Sequence, residues 1–296
     1  MLATLACSLG GAADDPTPLP DANPTAALEE PSVDDDSQND TNPDPVSDTE
    51  NIYQVGEKIH FGQGIIRLNS LTFSGDRMRA NFTFQNNSSQ PLDIDPQDAF
   101  SAVDGEGTEL DLTVLECGRS QLFGRVLGGD RLRGNLCWKD LTIQQGIEIA
   151  FQADFLDGRT YRWEGAEGSS EPDLGQIEVN PSPAVIGQPA PANHYLVTLL
   201  ETSTRDGLLQ ADFRVENTTD QELQFSSLLA LEVRRGDGSR LARELLECAQ
   251  ETLNGPIPAG ESIEGSACWS LDAGDPARIY FLNVFSGDVV YWNVEQ

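Results

Sequence analysis

The chain writes one arrangement twice. Leu115-Glu116-Cys117 is followed by nineteen residues and then Cys137-Trp138, and Leu246-Glu247-Cys248 is followed by nineteen residues and then Cys268-Trp269. The copies lie 131 residues apart, and a shared offset that carries two cysteines and a tryptophan marks a tandem duplication. The same offset relates Gly56 to Gly187, Phe82 to Phe213, Asn86 to Asn217 and Gly107 to Gly238. Past Trp269 the second copy is two residues shorter, so that Trp163 answers to Trp292. Positions kept in this way read as core and turn positions, which specify a scaffold.

Within each copy apolar residues alternate. Ile66, Leu68 and Ser70 share one parity, Ala80, Phe82 and Phe84 form a second run, and Ile147, Ile149, Phe151, Ala153 and Phe155 a third. Period two, punctuated by Gly, Asn, Asp and Pro, predicts strands with one buried face and no amphipathic helix. About seven to nine short strands per copy predict an all-β chain of two tandem β-sandwiches. The strand ending each repeat can be read face by face. Leu132, Gly134, Leu136 and Trp138 take one side, and Arg131, Arg133, Asn135 and Cys137 the other. Trp138 is therefore expected in the core and Cys137 on the outer face.

The boundaries follow from composition. Residues 1–7 resemble the end of a bacterial lipoprotein signal, with small Ala6 before Cys7; Thr4 departs from the usual Leu, and six residues are too few for a full signal, so the true start is expected upstream of Met1. Residues 8–51 are Asp, Pro, Thr, Ser and Asn with almost no large apolar residue, which predicts a disordered acidic tether. Sandwiches are expected at 52–164 and 184–296. The Gly-, Ser- and Pro-rich stretch 165–183 is expected to keep them apart.

Charge excludes some partners. With 18 Lys and Arg against 49 Asp and Glu the formal charge is −31, of which residues 8–50 supply −12. Such a balance repels phosphate backbones and disfavours nucleic acid. Cysteines paired at identical spacing predict bridges Cys117–Cys137 and Cys248–Cys268 and an oxidising compartment, and each bridge closes a loop worth roughly 3 kcal/mol in the chain-entropy model. The two His residues, His60 and His194, stand far from any cysteine, so no metal site and no cofactor is expected.

At this point a resemblance appears. Gly56 after an apolar residue, the strand ending Phe82-Thr83-Phe84-Gln85-Asn86-Asn87, and Pro258-Ala259-Gly260-Glu261-Ser262-Ile263-Glu264-Gly265 resemble a family of immunoglobulin-like domains of unknown function found on exported bacterial proteins and lipoproteins. That family is similar in fold to a secreted mycobacterial immunoprotective antigen. The resemblance implies a sandwich fold and an envelope or extracellular location, and it brings no catalytic residues.

The functional expectation is a noncatalytic binding or display protein of the cell envelope, anchored to a membrane only by a lipid on Cys7, with a protein or small-molecule ligand. The alternative is a secreted hydrolase or metal-dependent protein. No catalytic residue is marked out: the acidic loop residues Asp93, Asp95 and Asp98 lack calcium-loop spacing, and Arg235-Gly236-Asp237 reads as turn chemistry. Divergence between the copies directs attention to the segment 118–136, basic through Arg119, Arg125, Arg131 and Arg133. Its counterpart, 249–267, carries Glu251, Glu261 and Glu264. The arginines are read as an anionic-ligand segment or as a docking segment for the other domain.

Overall fold

The computed structural model describes residues 52–113, 117, 121–169, 179–245, 253–271, 275–283 and 286–294. Residues 1–51, with the tether and Cys7, lie outside them, as do Arg119 and Cys248.

The first half contains β1 (Ile52–Tyr53), β2 (Lys58–Phe61), β3 (Gly64–Ser74), β4 (Arg77–Asn86), β5 (Leu92–Ile94), α1 (Pro96–Ala99), β6 (Phe100–Val103), β7 (Asp111–Leu112), β8 (Gly124–Val126), β9 (Arg131–Lys139), β10 (Ile147–Phe151), β11 (Tyr161–Gly165) and β12 (Gly168–Ser169). The second contains β13 (Ala190–Ala192), β14 (Tyr195–Arg205), β15 (Leu208–Asn217), β16 (Leu223–Ser226), α2 (Ser227–Ala230), β17 (Leu231–Arg235), β18 (Arg243–Glu244), β19 (Asn254–Ile257), β20 (Ser262–Ser270), β21 (Ala277–Leu282) and β22 (Val289–Val294). The chain is all-β, and each half is a β-sandwich. In the first, the sheet β12-β3-β4-β9-β7 faces β1-β11-β10-β6; in the second, β13-β14-β15-β20-β18 faces β17-β21-β22.

The duplication extends to pairing register. Leu68 opposes Phe82 and Leu199 opposes Phe213; Met78 opposes Trp138 and Leu209 opposes Trp269. Both long strands carry a bulge at the same place, between Leu68 and Ser70 and between Leu199 and Glu201. One extra residue reverses which face the following side chains occupy. Leu71 is buried and Ser70 is not, contrary to the parity expected of Ser70, because the bulge resets the alternation.

Both corners are held by one device. Asn86 donates through Nδ2 to the carbonyls of Gln90 (2.6 Å) and Val126 (3.0 Å), and its Oδ1 accepts from the Ser88 amide (2.9 Å). Asn217 donates to Gln221 (2.6 Å) and Ile257 (2.9 Å) and accepts from the Thr219 amide (2.9 Å). Both side chains are fully buried, where unpaired amide groups would be costly.

The cores sit between the sheets. Phe82 meets Trp163 edge-on at 5.3 Å, and Phe213 meets Trp292 at 6.1 Å. All four tryptophans are buried, each burial worth on the order of 2–3 kcal/mol. Trp138 lies in the first core, whereas Cys137 is on the opposite face of β9 and is bonded to Cys117, with a Cα separation of 5.4 Å. Cys268 is also disulfide-bonded. The helices are single turns, α1 capped by Asp95, whose carboxylate accepts from the Gln97 amide at 3.0 Å.

The stretch read as a linker is partly structural. β11 runs through Gly165, and β12 pairs with β3. The Asn180 amide donates to the Gly128 carbonyl at 2.6 Å, and Thr49–Gln296 forms one compact unit.

Candidate functional site

A cluster of buried ion pairs lies in a seam between the sandwiches. It joins the turn Leu127–Asp130 and strand β9 to the outer face of the sheet β17-β21-β22. Register explains that face. Arg234 opposes Arg278 across β17 and β21, and Tyr280 opposes Tyr291 across β21 and β22. Alternate residues leave a strand on the same side, so Glu232 and Arg234 share a face with Arg278 and Tyr280, and the apolar Leu231, Val233 and Ile279 fill the core behind them.

Asp130 is the centre. Its side chain is 1% exposed and accepts from Arg234 Nη1 (3.0 Å), Tyr280 Oη (3.0 Å) and Arg278 Nη1 (3.2 Å). Arg234, also 1% exposed, donates to the Arg125 carbonyl at 2.9 Å, pairs with Glu232 and lies 4.5 Å from the centre of the Tyr280 ring. Glu232 lies 2.8 Å from Arg240 Nε, and Arg240 donates to the Phe123 carbonyl. Burial alone would push the Glu232 carboxyl up, but the Arg234 and Arg240 guanidinia outweigh it and hold the carboxyl below the usual range. Burial opposes the charge on Arg234 too, and Glu232 and Asp130 more than offset that. Tyr280 is pushed well above an ordinary phenol by burial and by Asp130. Leu127, Val179, Tyr280 and Tyr291 form an apolar cluster beside the ions.

A second contact lies along β9. The Arg133 amide donates to the Gly238 carbonyl (2.9 Å), and its guanidinium pairs with Asp237 (2.9 Å). Gly238 has φ +87° and stands against the Arg131 backbone, where an added Cβ would lie 2.9 Å from the carbonyl carbon. Its counterpart Gly107, φ +81°, has open space at that position. Burial would raise the Asp237 carboxyl, but hydrogen bonds from Ser239 and Arg133 hold it low.

The residues singled out from sequence distribute as follows. Arg125 clamps Asp93 through Nε (2.8 Å) and Nη2 (2.6 Å) and donates to the Gly287 carbonyl; the Asp93 bond raises its pKa further. Arg131 donates to Gln85 at 3.1 Å. Arg133 lies in the seam. Among the described residues, Arg133 meets Asp237 and Gly238, and Arg125 meets Gly287 and, through its carbonyl, Arg234, because this stretch lies against β17-β21-β22 and the turn that follows β17. Asp93 and Asp95 serve Arg125 and the α1 cap rather than one point, Asp237 of the Arg-Gly-Asp turn is a seam residue, and His60 and His194 are exposed.

Asp130, Glu232, Arg234 and Tyr280 did not emerge from the sequence reading. The signal was present in the offset: Arg234 stands where the first copy has Val103, and register matches Tyr280 to Ala150 and Tyr291 to Arg162. An arginine and a tyrosine in place of the small Val103 and Ala150, with a second tyrosine in place of Arg162, point to something packed on that outer face.

No family model and no curated protein matches the chain. Among solved structures it is similar to the YjhA protein of Bacillus subtilis (15% identity, 38% of this chain and 98% of that one, TM-score 0.33). It is also similar to the candidate lipoprotein YcdA of Bacillus subtilis (17% identity, 36% and 38%, TM-score 0.31). A third likeness is to an uncharacterised β-sandwich protein of Clostridium difficile (18% identity, 42% and 100%, TM-score 0.31). The fold described above rests on the strands themselves.

Proposed function

We propose that the chain is a noncatalytic binding or display protein of the cell envelope, in which two immunoglobulin-like sandwiches are joined into one rigid unit. The observation that carries this reading is the seam. A carboxylate 1% exposed, held by two arginines and a tyrosine from the other sandwich, fixes the relative geometry of two duplicated scaffolds. Fixed geometry suits a module that holds surfaces at set positions. The Cys117–Cys137 bridge supports an oxidising compartment. A lipid on Cys7 then supplies the membrane attachment, with the acidic stretch 8–51 as its spacer.

The test uses the chain expressed in its own cell. Fatty-acid labelling should mark the wild-type chain and not Cys7→Ser, which should appear in the medium; a Cys7→Ser chain that still partitions into detergent overturns the anchor. A broad hydrolase screen with and without added divalent metal should show no turnover, and turnover that survives repurification overturns the noncatalytic reading.

A further inference from the structure

We propose that two molecules of the chain associate through the open edge of β14 in the second sandwich, residues 201–205 of one running antiparallel to residues 201–205 of the other about a two-fold axis. This goes beyond the binding or display reading and does not rest on it. The two sandwiches differ at this edge. In the first, β12 covers β3, with Gly168 opposite Leu71 and Ser169 opposite Ser70. Register matches Leu71 to Thr202, since the one opposes Ala80 and the other Ala211. In the second, β13 pairs with β14 only from Tyr195 to Val197, and among the described residues no strand pairs with the outer edge of β14 from Leu200 onward.

The edge is accessible and has apolar surface beside it. Glu201, Ser203, Thr204 and Arg205 are exposed. Val55, which the repeat offset matches to Ile186, packs on the first core, and a Cβ added to Gly168 of β12 would lie 3.9 Å from it. Ile186, with no such strand described beside it, is 42% exposed, and its neighbour Val185 is 58% exposed.

Sequence selects the occupant. An open strand edge presents N–H and C=O groups that template pairing with another chain. The turn decides which groups these are. Asp206 and Gly207, with φ of 54° and 78°, make a two-residue hairpin turn, so Arg205 and Leu208 bond to one another and the backbone groups of Thr204 and Thr202 point to the open edge. Self-pairing must oppose these threonines to each other. With Thr202 opposite Thr204, Ser203 opposes Ser203, and Glu201 opposes Arg205 at both ends of the contact. Cross-strand threonine pairs and opposite charges both favour a ladder. A slip of two residues would set one threonine opposite its own copy and leave both charges without their opposite. The same register places Thr204 of the incoming molecule where Gly168 stands in the first sandwich, against Ile186. Arg205 has Asp206 at 3.2 Å, but the side chains are 89% and 84% exposed and solvent leaves that pair weak. The first sandwich cannot pair in this way: residues 70–74 are Ser-Leu-Thr-Phe-Ser, without a charge, and β12 occupies their edge.

The whole chain, disulfides intact, is followed by sedimentation velocity over a concentration series up to the millimolar range. The wild type should shift from monomer to dimer late in the series, because so short a contact belongs with small, transient interfaces. Glu201→Arg and Arg205→Glu should each weaken the dimer on the order of tenfold, since each sets like charges opposite one another at both ends. Mixed one to one, the two variants oppose arginine to glutamate at both ends and should associate as unlike pairs. Thr202→Pro removes an outward amide while keeping the ladder to β15, so it should melt like the wild type and form no dimer. A wild type that stays monomeric throughout overturns the proposal, and a partner protein that it retains but Thr202→Pro loses would give the edge to that protein instead. A dimer that survives Thr202→Pro, or charge variants that fail to complement each other, also overturns it. Failure leaves the envelope reading standing, because labelling at Cys7 and the hydrolase screen do not involve this edge.

Discussion

The two copies turn the same corner and use it differently. In the first, the amide of Asn86 donates to the Asp130 carbonyl, and the Asp130 side chain is buried against the second sandwich. In the second, the amide of Asn217 donates to the Glu261 carbonyl, and the Glu261 side chain is exposed. The receiving faces differ in the opposite sense. The second copy presents Arg234, Arg278 and Tyr280; register gives the first copy Val103, Glu148 and Ala150. A contact from the turn of one domain to the sheet of the next is head-to-tail, and such a contact between similar units can repeat without closing. Here it cannot repeat on the same terms. The first copy's sheet offers an acid and small apolar groups where two arginines and a tyrosine would be required. The difference teaches that duplication supplied the scaffold and divergence supplied one specific contact.

The largest expected effect breaks that contact at its centre. Asp130→Ala leaves Arg234 buried with part of its charge uncompensated, and should lower the stability of the full chain by about 3–5 kcal/mol in urea unfolding. Glu261→Ala, at the equivalent corner, should change it by less than about 0.5 kcal/mol. Equal losses would mean that the seam does not hold the sandwiches together.

The corner asparagines test the other half of the comparison, where the copies should agree. Asn86→Ala and Asn217→Ala each strip one buried carbonyl, one partly buried carbonyl and one amide of their partner, and each should cost about 2–3 kcal/mol. A large difference between them would mean that the shared corners do not carry equal weight.

What was legible from sequence follows from where the information lies. Strand parity around Trp138 and Cys137 is a local property, so the core, the outer face and the bridge could be read from spacing. The bulge after Leu68 could not, because one inserted residue shifts the alternation without a composition signal. The seam was half legible. Opposite charge at equivalent segments suggested docking through the arginines, but the buried groups that hold it come from three strands and one turn, brought together by sandwich topology rather than by spacing. The linker misled for the same reason: Pro and Gly break strands, yet they do not say whether the flanking domains touch.

Acid should loosen the seam. Glu232 and Asp237 both have carboxyls held below their usual range in the folded chain. A depressed folded pKa contributes stability that is present above the ordinary value, around 4, and lost as pH falls through the folded one. Unfolding midpoints should therefore decline below about pH 4, and the decline should be shallower in Glu232→Gln. An identical slope in the variant would assign the acid sensitivity to carboxylates outside the seam.

The smallest effect is expected at the rim. Arg133 and Asp237 pair at 2.9 Å with side chains 25% and 39% exposed, so solvent and salt screen the attraction. Arg133→Gln keeps the amide that donates to Gly238 and much of the side-chain stem, and should cost no more than about 1 kcal/mol. Raising the salt concentration should shrink that loss. The loss from Asp130→Ala should respond less, because the carboxylate and two of its three partners, Arg234 and Tyr280, are buried and screening acts through solvent. Comparing the two variants across a salt series thus separates rim from centre within one seam. An equally salt-sensitive Asp130→Ala would show that water reaches the carboxylate and that the contact is looser than its hydrogen bonds imply.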